Sequence, residues 1–113
     1  MLVKWKEFLE ATTKSFSTLG KGNPELTRAV LGLPNAGTKG ALDEKTKELI
    51  SLAVAATTRC DGCIAIHTAK AVEAGATREE LLEALAVAIA MNAGAATIYS
   101  SRVLEAYDQL SGK

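Results

Sequence analysis

The sequence predicts an all-α protein built as one domain of about six helices. Two observations carry this prediction: apolar residues recur at helical spacing between clear helix start and stop signals, and strand-like alternation is absent. A length of 113 residues suits one ordinary domain and leaves no room for two independent cores. We therefore expect a single domain over residues 1–113.

The first 41 residues predict two helices and a loop. Apolar side chains between Val3 and Leu19 have amphipathic spacing, and we expect the two glycines that follow to end this helix. Asn23-Pro24 is typical of an N-cap followed by proline at the first helical position, so a short helix should run toward Leu33. Proline and glycines make Leu33–Ala41 the clearest loop of the chain.

The next two helices have equally definite signals. Asp43 can cap a helix that runs to about Thr58, and the centre of that helix is apolar nearly all round, which predicts a central position. A further helix should begin near Cys60 or Asp61 and end at Gly75, a residue suited to the left-handed conformation after a helix.

The last part of the chain predicts two more helices. Thr77 and Glu80 match the capping box, in which a hydroxyl and a carboxylate close the first turn reciprocally. We expect the helix that they start to run toward Asn92, with a break or a tight contact at Gly94. A final helix should then carry the apolar residues Ile98, Val103, Leu104, Tyr107 and Leu110.

Composition and charge limit the classes of partner. The chain is 48% hydrophobic but only 4% aromatic, so we expect it to associate with copies of itself to cover its apolar surface. Lys plus Arg and Asp plus Glu both number 13, which does not favour a nucleic-acid partner. Met1 to Lys6 lacks the apolar core of a secretory signal, and Leu81 to Ile98 is too polar and alanine-rich for a convincing membrane span. We expect a soluble cytoplasmic protein without a membrane partner.

The residues able to do chemistry are concentrated in one short segment. Both cysteines and the only histidine of the chain, Cys60, Cys63 and His67, fall within roughly 60° of one another on a helix. Cysteines three residues apart at a helix start can form a disulfide that adds little stability, which favours a redox couple. The helix N-terminus stabilises a thiolate, and His67 is placed to take or share the thiol proton. The segment therefore indicates thiol redox chemistry.

Two other interpretations of this segment stay open. The cysteines are ordinary buried small residues in one of them, and His67 an ordinary hydrogen-bonded side chain. In the other, both cysteines, the histidine and a carboxylate form a tetrahedral zinc site. Structural zinc sites usually draw their second ligand pair from a distant segment, and the chain has no further cysteine or histidine. We therefore expect no metal and no cofactor.

Spacing alone does not give the carboxylates a function. Glu48 lies at the border of the apolar face of its helix, where a glutamate is usually solvated. The same holds for Glu44, Asp61 and Glu73, and nothing in the pattern singles out Asn92 or Tyr99.

The pattern Glu-x11-Cys-x2-Cys-x3-His, formed by Glu48, Cys60, Cys63 and His67, resembles the alkylhydroperoxidase D-like group of the carboxymuconolactone decarboxylase superfamily. The Ala-Gly-Ala helix end and the capping box that follow are also similar to this group. The resemblance covers roughly residues 42–110 and identifies them as the helical core, with residues 1–41 as N-terminal helices and a loop. It implies an all-helical homotrimer or homohexamer.

The resemblance also implies an activity and a role for each residue. Redox-active members of the group reduce hydroperoxides or exchange disulfides through the Cys-x-x-Cys pair. By resemblance Cys63 is the attacking thiol and Cys60 the resolving thiol, while His67 and Glu48 form a proton relay; the helix dipole alone would instead favour Cys60 as nucleophile. The implied partners are a small hydroperoxide and a dithiol electron donor of lipoyl or thioredoxin type.

Two departures from the group bear on function. Hydroperoxidases of this group often carry a second histidine directly before the second cysteine, where this chain has Gly62, and larger members have an additional N-terminal helical half. The lactone decarboxylases lack the dithiol, so its presence argues against decarboxylation. We expect a thiol-dependent peroxidase; the alternatives are a dithiol-disulfide oxidoreductase for a protein partner and a non-catalytic helical assembly that binds a metal or ligand.

Overall fold

A computed structural model describes residues 3–112, so Met1, Leu2 and Lys113, the ends of the predicted domain, lie outside the described residues. Within that range the chain forms six α-helices and one 3₁₀ turn and contains no strand, which confirms the all-α prediction. The helices are α1 (Trp5–Gly22), α2 (Pro24–Gly32), α3 (Glu44–Thr58), α4 (Asp61–Glu73), α5 (Arg78–Tyr99) and α6 (Ser101–Leu110), and the 3₁₀ turn is Leu33–Asn35.

The junction of α1 and α2 has the predicted end and the predicted start. Helix α1 ends at Gly22, the second of the two glycines expected to end it. Asn23 caps α2, since its side chain accepts a hydrogen bond of 3.2 Å from the Leu26 N–H. Gly20, in the last turn of α1, allows α2 to approach, because a Cβ at this position would lie 3.4 Å from Thr27 Cγ2.

Helix α3 has the predicted cap, and α4 begins at Asp61, where its start was expected. Asp43 accepts a hydrogen bond of 2.7 Å from the Thr46 N–H at the start of α3. Arg59 ends α3 in the left-handed conformation, with φ of 54°, and Cys60 directly after it caps α4. One left-handed residue thus turns the chain from the end of α3 into the start of the cysteine-bearing helix.

The prediction for α5 is correct at its start and wrong at its end. Thr77 and Glu80 form the reciprocal capping box. The helix does not stop near Asn92 or break at Gly94, and it continues to Tyr99. Within this helix the Asn92 side chain donates a hydrogen bond of 2.7 Å to the Ala88 carbonyl, and nothing lies within 4 Å of a Cβ built on Gly94. The expected tight contact at Gly94 is therefore also absent.

The described helices pack as an open series with α3 near its centre. Helix α3 contacts α4 and α5, α4 also contacts α1, α2 packs on α1, and α6 packs only on α5. The buried apolar side chains are few and mostly small: Leu52, Ala55, Ala65, Ala71 and Ala88. Helix α4, which carries the cysteines, therefore packs between α1 and α3, whereas much of the surface of α5 and α6 is left exposed.

The chain exposes far more surface than a compact protein of its size. Its accessible area is 9135 Å², whereas a compact folded chain of this mass exposes about 5,900 Å². Its radius of gyration of 18.8 Å likewise exceeds the value of about 13 Å for a compact domain of this length. Much of the exposed apolar surface lies on the last two helices, at Val87, Ile89, Met91, Ile98, Tyr99, Val103, Leu104, Tyr107 and Leu110.

The continuous helical segment Arg78–Leu110 is long and apolar enough to cross a membrane by length and composition alone. Only 6% of its most apolar 18-residue window is buried within the chain. A helix covered by neighbouring subunits meets the same criterion, so length and hydropathy do not by themselves identify a membrane span.

An ion pair between α3 and α5 gives a prediction about pH. Glu80 accepts hydrogen bonds from Lys45 Nζ at 2.8 Å and from the Thr77 N–H at 2.9 Å. The hydrogen bond from Lys45 and then that from Thr77 lower the pKa of Glu80 below its usual value. The ionised Glu80 carboxylate therefore stabilises the fold at pH values above the pKa that it has in the unfolded chain. This stabilisation is lost as the pH falls through the lower pKa of Glu80 in the folded protein.

We expect Glu80→Gln to lower the melting temperature at pH 7. The difference in melting temperature from wild type should shrink as the pH falls through the lowered pKa of Glu80, because the wild-type carboxylate becomes protonated there. It should also shrink at high salt, because the pair is a third exposed. The exposed neighbour Glu79→Gln is the matched control, and a pH-independent difference for Glu80→Gln would contradict the assignment.

Candidate redox site

The two cysteines lie together at the start of α4 and are bonded to each other as a disulfide, with their Cα atoms 5.2 Å apart. Cys60 is the N-cap, and its Sγ accepts a hydrogen bond of 3.2 Å from the Cys63 N–H. Both residues are half-buried. Because the free N–H groups of the first turn point toward the N-cap, negative charge on Cys60 Sγ is stabilised there.

One turn along the same helix, His67 is hydrogen-bonded to Glu48 of α3. The distance from His67 Nδ1 to Glu48 Oε2 is 2.6 Å. An ionised carboxylate only accepts hydrogen bonds, so Nδ1–H donates and the Nε2 of the neutral ring is left as the free acceptor. The side chain of Glu48 is 11% exposed and that of His67 is 28% exposed. The carboxylate thus fixes the orientation and the tautomer of the imidazole.

The Glu48–His67 pair borders a groove of about 570 Å³. The loop before α3 forms one wall and the exposed sides of α3 and α4 form the other. The apolar lining comes from Leu31, Pro34, Leu42 and Ile50, and the charged lining includes Lys47 and Lys70. A small molecule in this groove reaches the histidine directly. Neither cysteine belongs to the lining, so the dithiol lies beside the groove rather than within it.

Gly62, between the cysteines, lies under α1. A Cβ placed on Gly62 would be 3.2 Å from Thr12 Cγ2, which is tighter than ordinary van der Waals contact. A side chain at this position therefore requires the Thr12 side chain or α1 to give way by a few tenths of an ångström. The sequence shows that glycine stands where the group often has histidine, but it does not show this contact, because no sequence signal links Thr12 to a residue fifty positions later.

We expect Gly62→His to displace α1 and to lower the free energy of unfolding by about 1–3 kcal/mol, the usual cost of overpacking. Thr12→Ser removes only the crowding methyl group, so the double variant should recover much of the loss. Gly62→Ala is the size control, since its gain in helix propensity offsets part of the contact. Urea unfolding measures all four proteins, and equal stability of Gly62→His and wild type would refute this packing argument.

The other carboxylates considered from the sequence form no hydrogen bond with His67, although Glu44 also lines the groove. Glu44 pairs with Lys47 at 2.7 Å, while Asp61 and Glu73 are exposed. Tyr99 is also exposed, and the Arg102 guanidinium lies 4.9 Å from its ring centre. Among residues 3–112, no group of three or more histidine, cysteine and acidic side chains is arranged to hold a metal ion.

Comparison with known proteins agrees with this arrangement of helices. The model of the carboxymuconolactone decarboxylase family matches residues 24–106, about three quarters of the chain. The chain belongs to the carboxymuconolactone decarboxylase family. The alkylhydroperoxidase D-like group that the sequence resembles is part of the same superfamily.

Relatives of similar length support the assignment. An uncharacterized protein of Haemophilus influenzae is 53% identical over 95% of this chain and 96% of its own length. The crystal structure of an apo carboxymuconolactone decarboxylase family protein from Legionella pneumophila is 41% identical, covers 96% of this chain and 97% of its own, and has a TM-score of 0.73. A structure from Methanobacterium thermoautotrophicum is 38% identical over 74% of this chain and 94% of its own, with a TM-score of 0.66.

Proposed function

We propose that this family member is a thiol-dependent peroxidase that reduces hydroperoxides through Cys60 and Cys63. The observation that carries the proposal is the hydrogen bond between Glu48 and His67, one turn beyond a Cys-x-x-Cys pair at a helix start. A dithiol alone needs no oriented histidine, whereas peroxide reduction must move a proton from the thiol to the leaving alcohol. Cys60 and Cys63 supply the dithiol, and Glu48 and His67 supply the oriented histidine that can move the proton.

In the proposed cycle the Cys63 thiolate attacks the terminal oxygen of the hydroperoxide and the O–O bond breaks. The alcohol leaves with a proton delivered through His67, and Cys63 becomes a sulfenic acid. Cys60 then attacks the Cys63 sulfur, water leaves, and the disulfide forms. An external dithiol of lipoyl or thioredoxin type returns two electrons and two protons to the pair. In this cycle the bonded cysteines are the oxidised resting state.

The test is catalytic consumption of cumene hydroperoxide by the purified protein with dithiothreitol as reductant. We expect turnover well above that of the reductant alone, and we expect it to disappear when the reduced cysteines are first alkylated with iodoacetamide. Peroxide loss that is unaffected by alkylation, or absent in the untreated protein, would refute the peroxidase proposal.

A second candidate is a dithiol-disulfide oxidoreductase for a protein partner, and the packing at Gly62 favours it. The second histidine often found in hydroperoxidases is missing, and a Cβ at this position would crowd Thr12 of α1 at 3.2 Å. This candidate predicts a defined reduction potential and rapid exchange with a lipoyl or thioredoxin dithiol, with negligible peroxide turnover. A non-catalytic metal-binding assembly would instead carry stoichiometric zinc on thiols that do not oxidise reversibly.

The expectations about partners and location also enter as proposals. We propose a homotrimer or homohexamer, which the large exposed apolar surface of α5 and α6 supports. The accessible surface of the chain exceeds that of a compact chain of the same mass by about 3,200 Å², which is several times the roughly 800 Å² that one partner contributes to an ordinary interface. We propose a cytoplasmic protein with no membrane or nucleic-acid partner, in which assembly covers the apolar segment. Light scattering tests the oligomeric state, and vesicle flotation tests whether the protein binds a membrane.

A further inference from the structure

The last helix of the chain has an apolar face with no partner in its own chain. Val103, Leu104, Tyr107 and Leu110 share an arc of roughly 120° on α6 and are between 61% and 89% exposed. Helix α6 packs only on α5. Helix α6 continues the segment of α5 with only Ser100 between them, and no other described helix covers its apolar face, whose burial would be favourable. Its apolar face therefore needs a partner outside the chain.

At the far side of the chain, a groove between α1 and α4 lacks an occupant. It measures about 550 Å³ and is lined by the apolar side chains of Trp5, Leu9, Ile64, Ala65, Ala69 and Val72. Lys6 is the only charged residue among those described that line it. The α4 side of the lining runs from Ile64 to Val72, about 13 Å at 1.5 Å per residue, so it is comparable in length with α6 at about 15 Å.

We infer that the α1–α4 groove of one copy binds helix α6 of a second copy. The two surfaces belong to elements that do not touch within one chain, and both are apolar. The charges also match: Asp108 borders the apolar face of α6 next to Leu104, at roughly 40° around the helix, and it can pair with Lys6 at the groove rim. This inference is independent of the dithiol chemistry and goes beyond the proposal that the chain self-associates.

The geometry of this contact has a consequence for the assembly. Each copy offers one groove and one α6, so the contact is heterologous and must close as a ring to leave no surface unpaired. A membrane is the less suitable partner for α6. Arg102, Glu105 and Gln109 make its opposite face polar, with charges of both signs, whereas interfacial membrane helices are typically rich in lysine and arginine there.

Zero-length carbodiimide crosslinking of a mixture of ¹⁴N- and ¹⁵N-labelled full-length protein tests the contact directly. We expect a crosslinked peptide that joins Lys6 to Asp108, with mixed isotope pairs as abundant as unmixed ones. Exclusively unmixed pairs, after the two labelled forms have been unfolded and refolded together, would mean an intramolecular contact and would overturn the inference. Absence of this crosslink in an assembly that crosslinks efficiently elsewhere would overturn it as well.

Charge-reversal variants test the same contact without a crosslinking reagent. We expect Lys6→Glu or Asp108→Lys alone to raise the Kd of assembly at least about tenfold at low salt, and the double reversal to restore it. Lys14→Glu and Glu105→Lys, which lie on the polar faces of α1 and α6, are matched controls, and circular dichroism checks that the helices remain. If neither charge reversal changes the Kd of assembly, the inference is wrong, although the proposal that the chain self-associates stands. A monomer that floats with vesicles of phosphatidylcholine and phosphatidylglycerol would overturn both.

Discussion

Cys63→Ser is expected to abolish peroxide turnover, and Cys60→Ser to stop it after one event. Without the Cys63 sulfur no sulfenic acid forms, so nothing remains for Cys60 to attack. Without Cys60 the first step still occurs, and the Cys63 sulfenic acid accumulates because no resolving thiol is present. Dimedone labelling followed by mass spectrometry should find the adduct on Cys63 in Cys60→Ser and no adduct in Cys63→Ser.

This pair of variants also decides between two physical arguments about the nucleophile. Cys60 Sγ is the helix cap and accepts the Cys63 N–H, which favours a thiolate at Cys60. Cys63 is one turn from His67 and is the attacking thiol in the group that the chain resembles. A dimedone adduct on Cys60 in the Cys63→Ser variant would reverse our assignment of the two roles.

Glu48→Gln is expected to lower kcat for peroxide reduction by about 10²-fold, at the low end of what a positioned acid–base group contributes. Glutamine keeps the shape and an acceptor for His67 Nδ1–H but removes the charge that holds the imidazole in one tautomer. KM should change little, because Glu48 orients His67 rather than binding the peroxide. The pH profile of kcat should also change, and a merely structural residue would not change it.

Glu44→Gln is the matched control for Glu48→Gln, since Glu44 lies one turn earlier on α3 and pairs with Lys47 instead of His67. Both variants should form the Cys60–Cys63 disulfide normally with diamide, which shows that the thiols are intact. Turnover of Glu48→Gln within about twofold of wild type would remove Glu48 from the mechanism and return it to a structural role.

The local signals of this sequence predicted its helices well. Asn23, Asp43 and Thr77 cap the helices that they were expected to cap, because capping depends on residues within three positions of one another. The failure lies at Gly94, where glycine suggested a break and the helix continues to Tyr99. Glycine costs a helix only about 1 kcal/mol, and neighbouring turns and packing readily compensate for that cost.

The site was predictable only in part. Cys60, Cys63 and His67 share one helix, so their spacing alone places them on one face. Glu48 is on another helix, nineteen positions before His67, and only the resemblance to a family gave it a role. Thr12 carries no sequence signal at all, since its contact with Gly62 depends on how α1 crosses α4. Residues brought together by tertiary packing are those that periodicity does not find.

The central claim, that Cys60 and Cys63 reduce a peroxide together, is tested most directly in a single turnover. Fully reduced protein is mixed with one equivalent of cumene hydroperoxide, and both products are identified by mass spectrometry. We predict one equivalent of cumyl alcohol and a protein that has lost two hydrogen atoms, with a disulfide between the Cys60 and Cys63 peptides. Intact peroxide beside two free thiols would contradict the claim.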